Sequence, residues 1–288
     1  LHTSNYLSRP MNEITLRTIQ FNSASGKQII ADIRSIEDGN KKPIVLALHG
    51  FKGFKDWGFF PFVCTELVKR GAISICINFS LNGYVVGSDK VENPDDFARN
   101  TISLEVEEVM LTVSKILDNS LLESSNWNGN IFLLGHSRGG GVALLSAAKD
   151  RKHIQKTVVW NSVGTFERFT ERQKKIWRET GTFQVENSRT HQTLGMNIDF
   201  LNDIESHSDE FSLLAAAKEL DSSLLIIHGE QDMTVPVREA KKLAEQAKNI
   251  QLETIPYTGH TFGITHPFEQ TTPALNLALD YTCTFFGL

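Results

Sequence analysis

The sequence predicts an α/β fold with a mainly parallel central sheet, flanking helices and a helical lid insertion. Three observations predict it. Continuous apolar runs recur at Ile44–Leu48, Ile73–Ile77, Ile131–Leu134, Thr157–Trp160 and Leu224–Ile227, as strands buried on both faces require. Helical patterns lie between them, and strands alternating with helices argue for parallel pairing. The chain has 288 residues, 40% of them hydrophobic, which suits one large globular domain with a modest insertion.

In chain order, Thr15–Phe21 and Gln28–Ser35 alternate around the turn Asn22–Gly26 and read as an antiparallel hairpin. Phe60–Arg70 reads as a helix closed by Gly71. Asp95–Leu117 reads as one helix, with apolar residues at Phe97, Ile102, Val106, Val109, Met110, Val113 and Leu117 behind an Asp-rich start. Val142–Lys149, Arg238–Lys248 and Ala274–Phe286 complete the helices, and Gln251–Ile255 is the last strand candidate.

Between Asn161 and Ser222 no strand run is expected. Phe166, Phe169, Gln173, Ile176 and Trp177 share one helical face, with Arg168, Glu171, Lys174 and Lys175 opposite. A second helical stretch spans about Ile198–Leu220. The chain therefore divides into a core of 1–162 and 222–288 and a lid of 163–221 over the strand ends; a surface-packed extension is the alternative.

Composition excludes several functions. A net charge of −5 offers no basic face for nucleic acid, and no apolar stretch approaches a membrane span of about 20 residues. Leu1–Pro10 is polar, without the layout of a signal peptide. A cytoplasmic protein is expected, with export left open because the sequence starts without Met and Met11 offers a start. Cys64, Cys76 and Cys283 show neither CxxC nor Cys/His spacing, so they read as buried hydrophobes rather than a zinc site. Nor do His153, His191 and His207 have metal-ligand spacing. No GxGxxG follows a strand and Gly26-Lys27 lacks the rest of a phosphate loop. No metal and no cofactor is expected.

In an open α/β sheet, reactive groups collect past the carboxyl ends of the strands. Gly135-His136-Ser137-Arg138-Gly139 follows one strand, His228-Gly229-Glu230-Gln231-Asp232 another, and Tyr257-Thr258-Gly259-His260 the last. G-x-S-x-G between strand and helix is a nucleophile elbow, a strained turn that lifts the serine hydroxyl off the sheet. A hydroxyl needs a base, and the base needs an acid to fix its tautomer. Ser137, His260 and Asp232 appear in suitable order, with Glu230 as a second candidate acid and Asn161 a poor one, since an amide cannot stabilise imidazolium by charge. His136 diverges from its neighbour on a tight elbow. His49 and His228 read as loop anchors, His266 as a start for the last helix.

The motifs HGFKGFKDW (His49–Trp57), GHSRGG (Gly135–Gly140), HGEQDMTVP (His228–Pro236) and GHTFG (Gly259–Gly263) resemble those of α/β-hydrolases, from about Ile14 to the C-terminus. Dienelactone-hydrolase-like and serine-aminopeptidase-like bacterial esterases with a helical cap are the nearest pattern. The resemblance implies a Ser137–Asp232–His260 triad, with the acid at Asp232, and oxyanion donors at the backbone N–H groups of Phe51 and Arg138. Two features depart from it: dienelactone hydrolases use a cysteine nucleophile, and the cap does not match that of proline iminopeptidases.

The expected activity is hydrolysis of a small-molecule carboxylic ester through an acyl-serine, with aryl or cinnamoyl/feruloyl-type esters among the candidates. An aminopeptidase or thioesterase with the same triad is the alternative within enzymes, and a non-catalytic binding scaffold the alternative outside them. Trp177 is the candidate substrate contact from the lid. The Arg138 guanidinium is expected to anchor the elbow, and Lys52, Lys55 and Asp56 to be solvated loop charges. The sequence leaves the oligomeric state open.

Overall fold

The computed structural model describes residues 13–122 and 126–288; the start-site readings at Leu1–Pro10 and Met11 lie outside them. Its core elements are β1 (Ile14–Asn22), β2 (Gln28–Ile36), β3 (Lys42–Leu48), α1 (Phe60–Lys69), β4 (Ile73–Asn78), α2 (Pro94–Ala98), α3 (Ile102–Leu117), β5 (Trp127–His136), α4 (Arg138–Lys149) and β6 (Ile154–Trp160). The insertion holds α5 (Glu171–Thr180), β7 (Thr182–Asn187), β8 (Gln192–Asn197), α6 (Ile198–Ser206) and α7 (Leu213–Leu220). The chain then returns to the core with β9 (Leu224–Gly229), α8 (Arg238–Ala244), β10 (Gln251–Ile255) and α9 (Pro273–Phe286).

Eight strands form one sheet in the order β1-β2-β4-β3-β5-β6-β9-β10. The β1–β2 and β2–β4 pairs are antiparallel, and every other pair is parallel. Alternation within β3 explains the two layers. Ile44, Leu46 and Leu48 join an apolar cluster with α3, α4, α7 and α8, while Val45 and Ala47 face a second cluster with α1 and α9. Central strands must therefore be apolar on both sides, which is why they read as continuous runs.

Three expectations are corrected. The stretch Asp95–Leu117 is two helices, not one. Thr101 between them is extended (φ −134°, ψ 164°), and its hydroxyl caps α3 by accepting from Leu104 N–H. The 161–222 segment does contain strands: β7 and β8 form an antiparallel hairpin, Thr182 opposite Asn197. Its signal was the alternation of Phe183, Val185, Leu194 and Met196 with polar residues, too short to stand out beside the helical patterns. Finally, Ile198–Leu220 is two helices, because Ser212 caps α7.

Around α5 the burial also differs from expectation. Phe166 and Phe169 precede the helix, whose first turn is closed by a Thr170–Gln173 capping box. Ile176 is exposed, whereas Lys174 is buried and ion-paired to Glu167, Glu171 and Glu205. Charge pairing lets the lysine stem cover apolar surface. Leu194, Met196, Phe200 and Leu201 share a cluster with Ile102 and Val106 of the core, so the insertion's apolar face is continuous with the core.

Candidate active site

The elbow is built by close backbone approach. A Cβ at Gly135 would lie 2.3 Å from the Gly139 carbonyl oxygen, and one at Gly139 would lie 2.3 Å from that of His49. Only glycine lets β5, α4 and the loop after β3 meet this tightly. Ser137 itself holds φ 57° and ψ −122°, a strained conformation for a residue with a side chain, costing on the order of 1–3 kcal/mol. Its N–H donates to the Trp160 carbonyl at 3.0 Å, locking the strained turn to the end of β6.

Asp232 and His260 meet at 2.7 Å between Oδ2 and Nδ1. A carboxylate only accepts, so Nδ1 carries the proton and Nε2 is left as an acceptor. The other carboxylate oxygen accepts from Thr234 and Val235 N–H at 2.8 and 2.9 Å. Burial pushes the Asp232 carboxyl up, but the His260 hydrogen bond and charge, with the two N–H groups, outweigh it and hold it below its ordinary value. Glu230, by contrast, is exposed and accepts from Thr254.

The neighbouring groups are anchors. His136 Nε2–H donates to the His260 carbonyl at 2.8 Å; burial, with the His260 ring beside it, pushes its pKa down to about 3. Asn161 Nδ2 donates to the same carbonyl at 2.9 Å, and its Oδ1 accepts from Gly229 N–H at 2.7 Å. It thus ties the His260 loop to β9. Nothing in the residue type of Asn161, a poor acid, marks it as a clamp; its place just past β6 is the available signal. His49 and His228 anchor loops as expected, through the Gly50 and Val235 carbonyls. His266 instead accepts from Gly58 N–H and lies well before the start of α9, so it does not begin that helix.

Arg138 occupies the first position of α4, where the helix leaves its N–H unpaired. Its guanidinium is ion-paired to the buried Glu105 and stacks over the Phe51 ring at 4.6 Å. Burial pushes the Glu105 carboxyl up, opposed by the Arg138 charge and an Asn100 hydrogen bond. The stacking of Arg138 on Phe51 connects the two residues whose N–H groups the resemblance marks as oxyanion donors. Lys55 corrects its expectation: it is buried and bridges Asp32 and Asp56 at 2.9 and 2.7 Å, fastening the loop after β3 to β2.

A cavity of about 420 Å³ opens at these strand ends, with Ser137, His260, Phe51 and Arg138 on its wall, a volume suited to a small ligand. The insertion supplies the facing wall through Phe166, Phe169, Asn187, Arg189, Met196 and Phe200. Trp177 is not part of it. Its side chain is fully buried, parallel to the Phe200 ring and edge-on to Phe169, because the apolar face of α5 turns inward on the other aromatic rings. Among the described residues no cluster of His, Cys, Asp and Glu could hold a metal, no helix is long and apolar enough to cross a membrane, and the three cysteines are buried and unpaired.

The sheet order, the elbow and the paired acid and histidine define a member of the α/β-hydrolase superfamily. Within it, the chain belongs to the family described as BAAT / Acyl-CoA thioester hydrolase C terminal, matched over residues 119–287. A curated relative, 2-hydroxymuconate semialdehyde hydrolase of Pseudomonas sp., is 26% identical over 161 residues, which are 46% of this chain and 56% of the relative. The match thus spans little more than half of that relative's length. Among solved structures, Est1E from Butyrivibrio proteoclasticus with ferulic acid bound shares the fold at TM-score 0.65 and 18% identity, covering 94% of this chain and 100% of that one. Dienelactone hydrolase from Anabaena variabilis does so at TM-score 0.61 and 15% identity, covering 95% and 97%. Family and curated relative together support a hydrolase.

Proposed function

We propose that this chain is a serine hydrolase cleaving carboxylic esters through an acyl-serine intermediate. One observation carries the reading: His260, with its tautomer set by Asp232 at 2.7 Å, shares a cavity wall with a serine on a strained elbow. His260 Nε2 takes the Ser137 proton as Oγ attacks the acyl carbon. The carbonyl oxygen gains negative charge, which the N–H groups of Phe51 and Arg138 stabilise. On collapse the protonated His260 gives its proton to the leaving alkoxide. Water then repeats the cycle on the acyl-serine, releasing the acid and restoring Ser137. The insertion acts as a cap whose aromatic rings favour an apolar or aromatic portion of the substrate, consistent with aryl or cinnamoyl/feruloyl-type esters.

Ser137→Ala tests the core of this. Turnover of p-nitrophenyl esters should fall by about five orders of magnitude while the fold persists, and a fluorophosphonate probe should label the wild type at Ser137 but not the variant. Retention of a tenth of the turnover would sink the reading. A thioesterase is the second reading, favoured by the family's description as acyl-CoA thioester hydrolases; kcat/KM on an oxyester and its matched thioester separates the two.

A further inference from the structure

The cavity wall has a marked charge imbalance. Lys52, Arg138, Arg168 and Arg189 line it, and no Asp or Glu does among the described residues. Two of these cations are neutralised by carboxylates behind the wall: Arg138 by Glu105, and Arg168 by Glu239 at 2.6 Å. Among the described residues the other two have no carboxylate ion-paired to them. Lys52 Nζ donates to the Glu186 carbonyl oxygen at 2.8 Å. Arg189 donates to the Asp89 carbonyl oxygen and, at 3.1 Å, to the Tyr84 hydroxyl. These acceptors are neutral. The side chains of Glu186 and Asp89 are nearby but exposed, and act on this corner only through charge at a distance.

Lys52 and Arg189 are held on one framework. Tyr84 OH donates to the Lys52 carbonyl at 2.9 Å and accepts from Arg189. Burial pushes the Tyr84 hydroxyl pKa up, with Arg189 and Asn187 pulling the other way. Asn187 itself is a second, independent observation. It lies on the cavity wall, is 4% exposed, and its Nδ2 makes no well-formed hydrogen bond, leaning only weakly on the Tyr84 hydroxyl. A buried amide donor so poorly satisfied carries part of the cost of an unpaired one, on the order of 1–3 kcal/mol at most, which a ligand acceptor would remove. Burial also pushes the Lys52 ammonium down, opposed by Glu186; an incoming anion reverses that cost.

We propose that Lys52, Asn187 and Arg189 form an anion subsite, and that the substrate is an ester carrying a second, ionised carboxylate away from the scissile bond. This rests on the esterase reading for Ser137 and deepens it. An ammonium with donors to spare, a guanidinium with unused N–H groups and a poorly satisfied amide supply enough donors for the lone pairs of a carboxylate. Sequence distance hid the subsite: Lys52 follows β3, whereas Asn187 and Arg189 sit at the tip of the β7–β8 hairpin.

The test pairs p-nitrophenyl hemiglutarate with p-nitrophenyl valerate, equal in acyl length and different in charge. The wild type should favour the hemiglutarate at least tenfold in kcat/KM, through KM. Arg189→Gln and Lys52→Gln should each bring the ratio toward one, and Arg189→Glu should invert it. Binding of monomethyl glutarate to Ser137→Ala, by calorimetry, reads the subsite without turnover and should weaken at least tenfold when Arg189→Gln is added. If neither p-nitrophenyl ester is cleaved but monomethyl glutarate binds in an Arg189-dependent way, the esterase reading fails and the subsite stands. If both esters are cleaved alike and binding ignores Arg189 and Lys52, the subsite is overturned while the esterase reading stands. Tighter, Arg189-dependent binding of methyl phosphate than of monomethyl glutarate would overturn the carboxylate assignment.

Discussion

The two walls of the cavity are held by different kinds of contact. On the sheet side, Ser137, Asp232 and His260 stand at the ends of strands whose backbones are paired through the sheet, and hydrogen bonds to backbone groups at Trp160, Thr234, Val235 and the His260 carbonyl fix them. On the insertion side, a two-stranded hairpin reaches across to the loop after β4. Side-chain contacts hold it there: Gln192 with both backbone groups of Val91, Arg189 with Tyr84. Backbone ladders carry position accurately, whereas a few side-chain contacts leave a segment closer to local opening. On the proposed reading, the reacting groups stand on the wall fixed by backbone pairing and the anion subsite on the wall held by side chains.

The largest effect that would break this contrast is at the acid. Asp232→Asn should keep the geometry but lower kcat by about four orders of magnitude, because the amide neither enforces the tautomer nor stabilises the cation. Glu230→Gln should leave the rate near wild type, since Glu230 contacts Thr254 instead. Loss of activity in the second variant and not the first would move the acid by two residues.

Next in size is Trp177→Ala. Because the indole is fully buried among Phe169, Phe183 and Phe200, the variant should lose about 3–5 kcal/mol of stability, read as a lower urea midpoint. A change in KM with no change in that midpoint would return Trp177 to the cavity wall.

The rigid wall also has a pH signature. Burial pushes the His49 imidazole down to about 4, with a smaller contribution from the Arg138 charge. The unfolded imidazole titrates near about 6.5. Between those values the unfolded chain binds a proton that the folded one refuses, so stability is complete above about 6.5 and falls as the pH is lowered toward 4. The ceiling is about 1.4 kcal/mol per pH unit for one imidazole. His49→Gln should flatten the slope of unfolding free energy between pH 7 and 5, and an unchanged slope would contradict the burial argument. The smallest effect is at the hairpin latch. Gln192→Ala should cost about 1 kcal/mol, and its sharper readout is faster amide exchange in β8 with little change in β5.

Much was legible in the chain before folding, and for a local reason. Apolar runs, helical spacing and the glycines at positions 135 and 139 are set by neighbours a few residues apart, so the strands of a mainly parallel sheet and the elbow could be read from pattern. The triad candidates followed because reactive groups in this architecture collect at strand ends. Contacts between residues far apart in sequence were not legible. The Lys55–Asp32 and Arg138–Glu105 pairs join charges that look solvated in isolation, and Asn161 reads as a failed acid until its amide is seen bridging Gly229 and His260. Trp177 looked like a substrate contact because helical periodicity shows that a face is apolar without showing what covers it. Only tertiary packing turned that face inward and brought Asn187 and Arg189 beside Lys52, since the free energy of a buried charge or amide depends on partners that folding alone supplies.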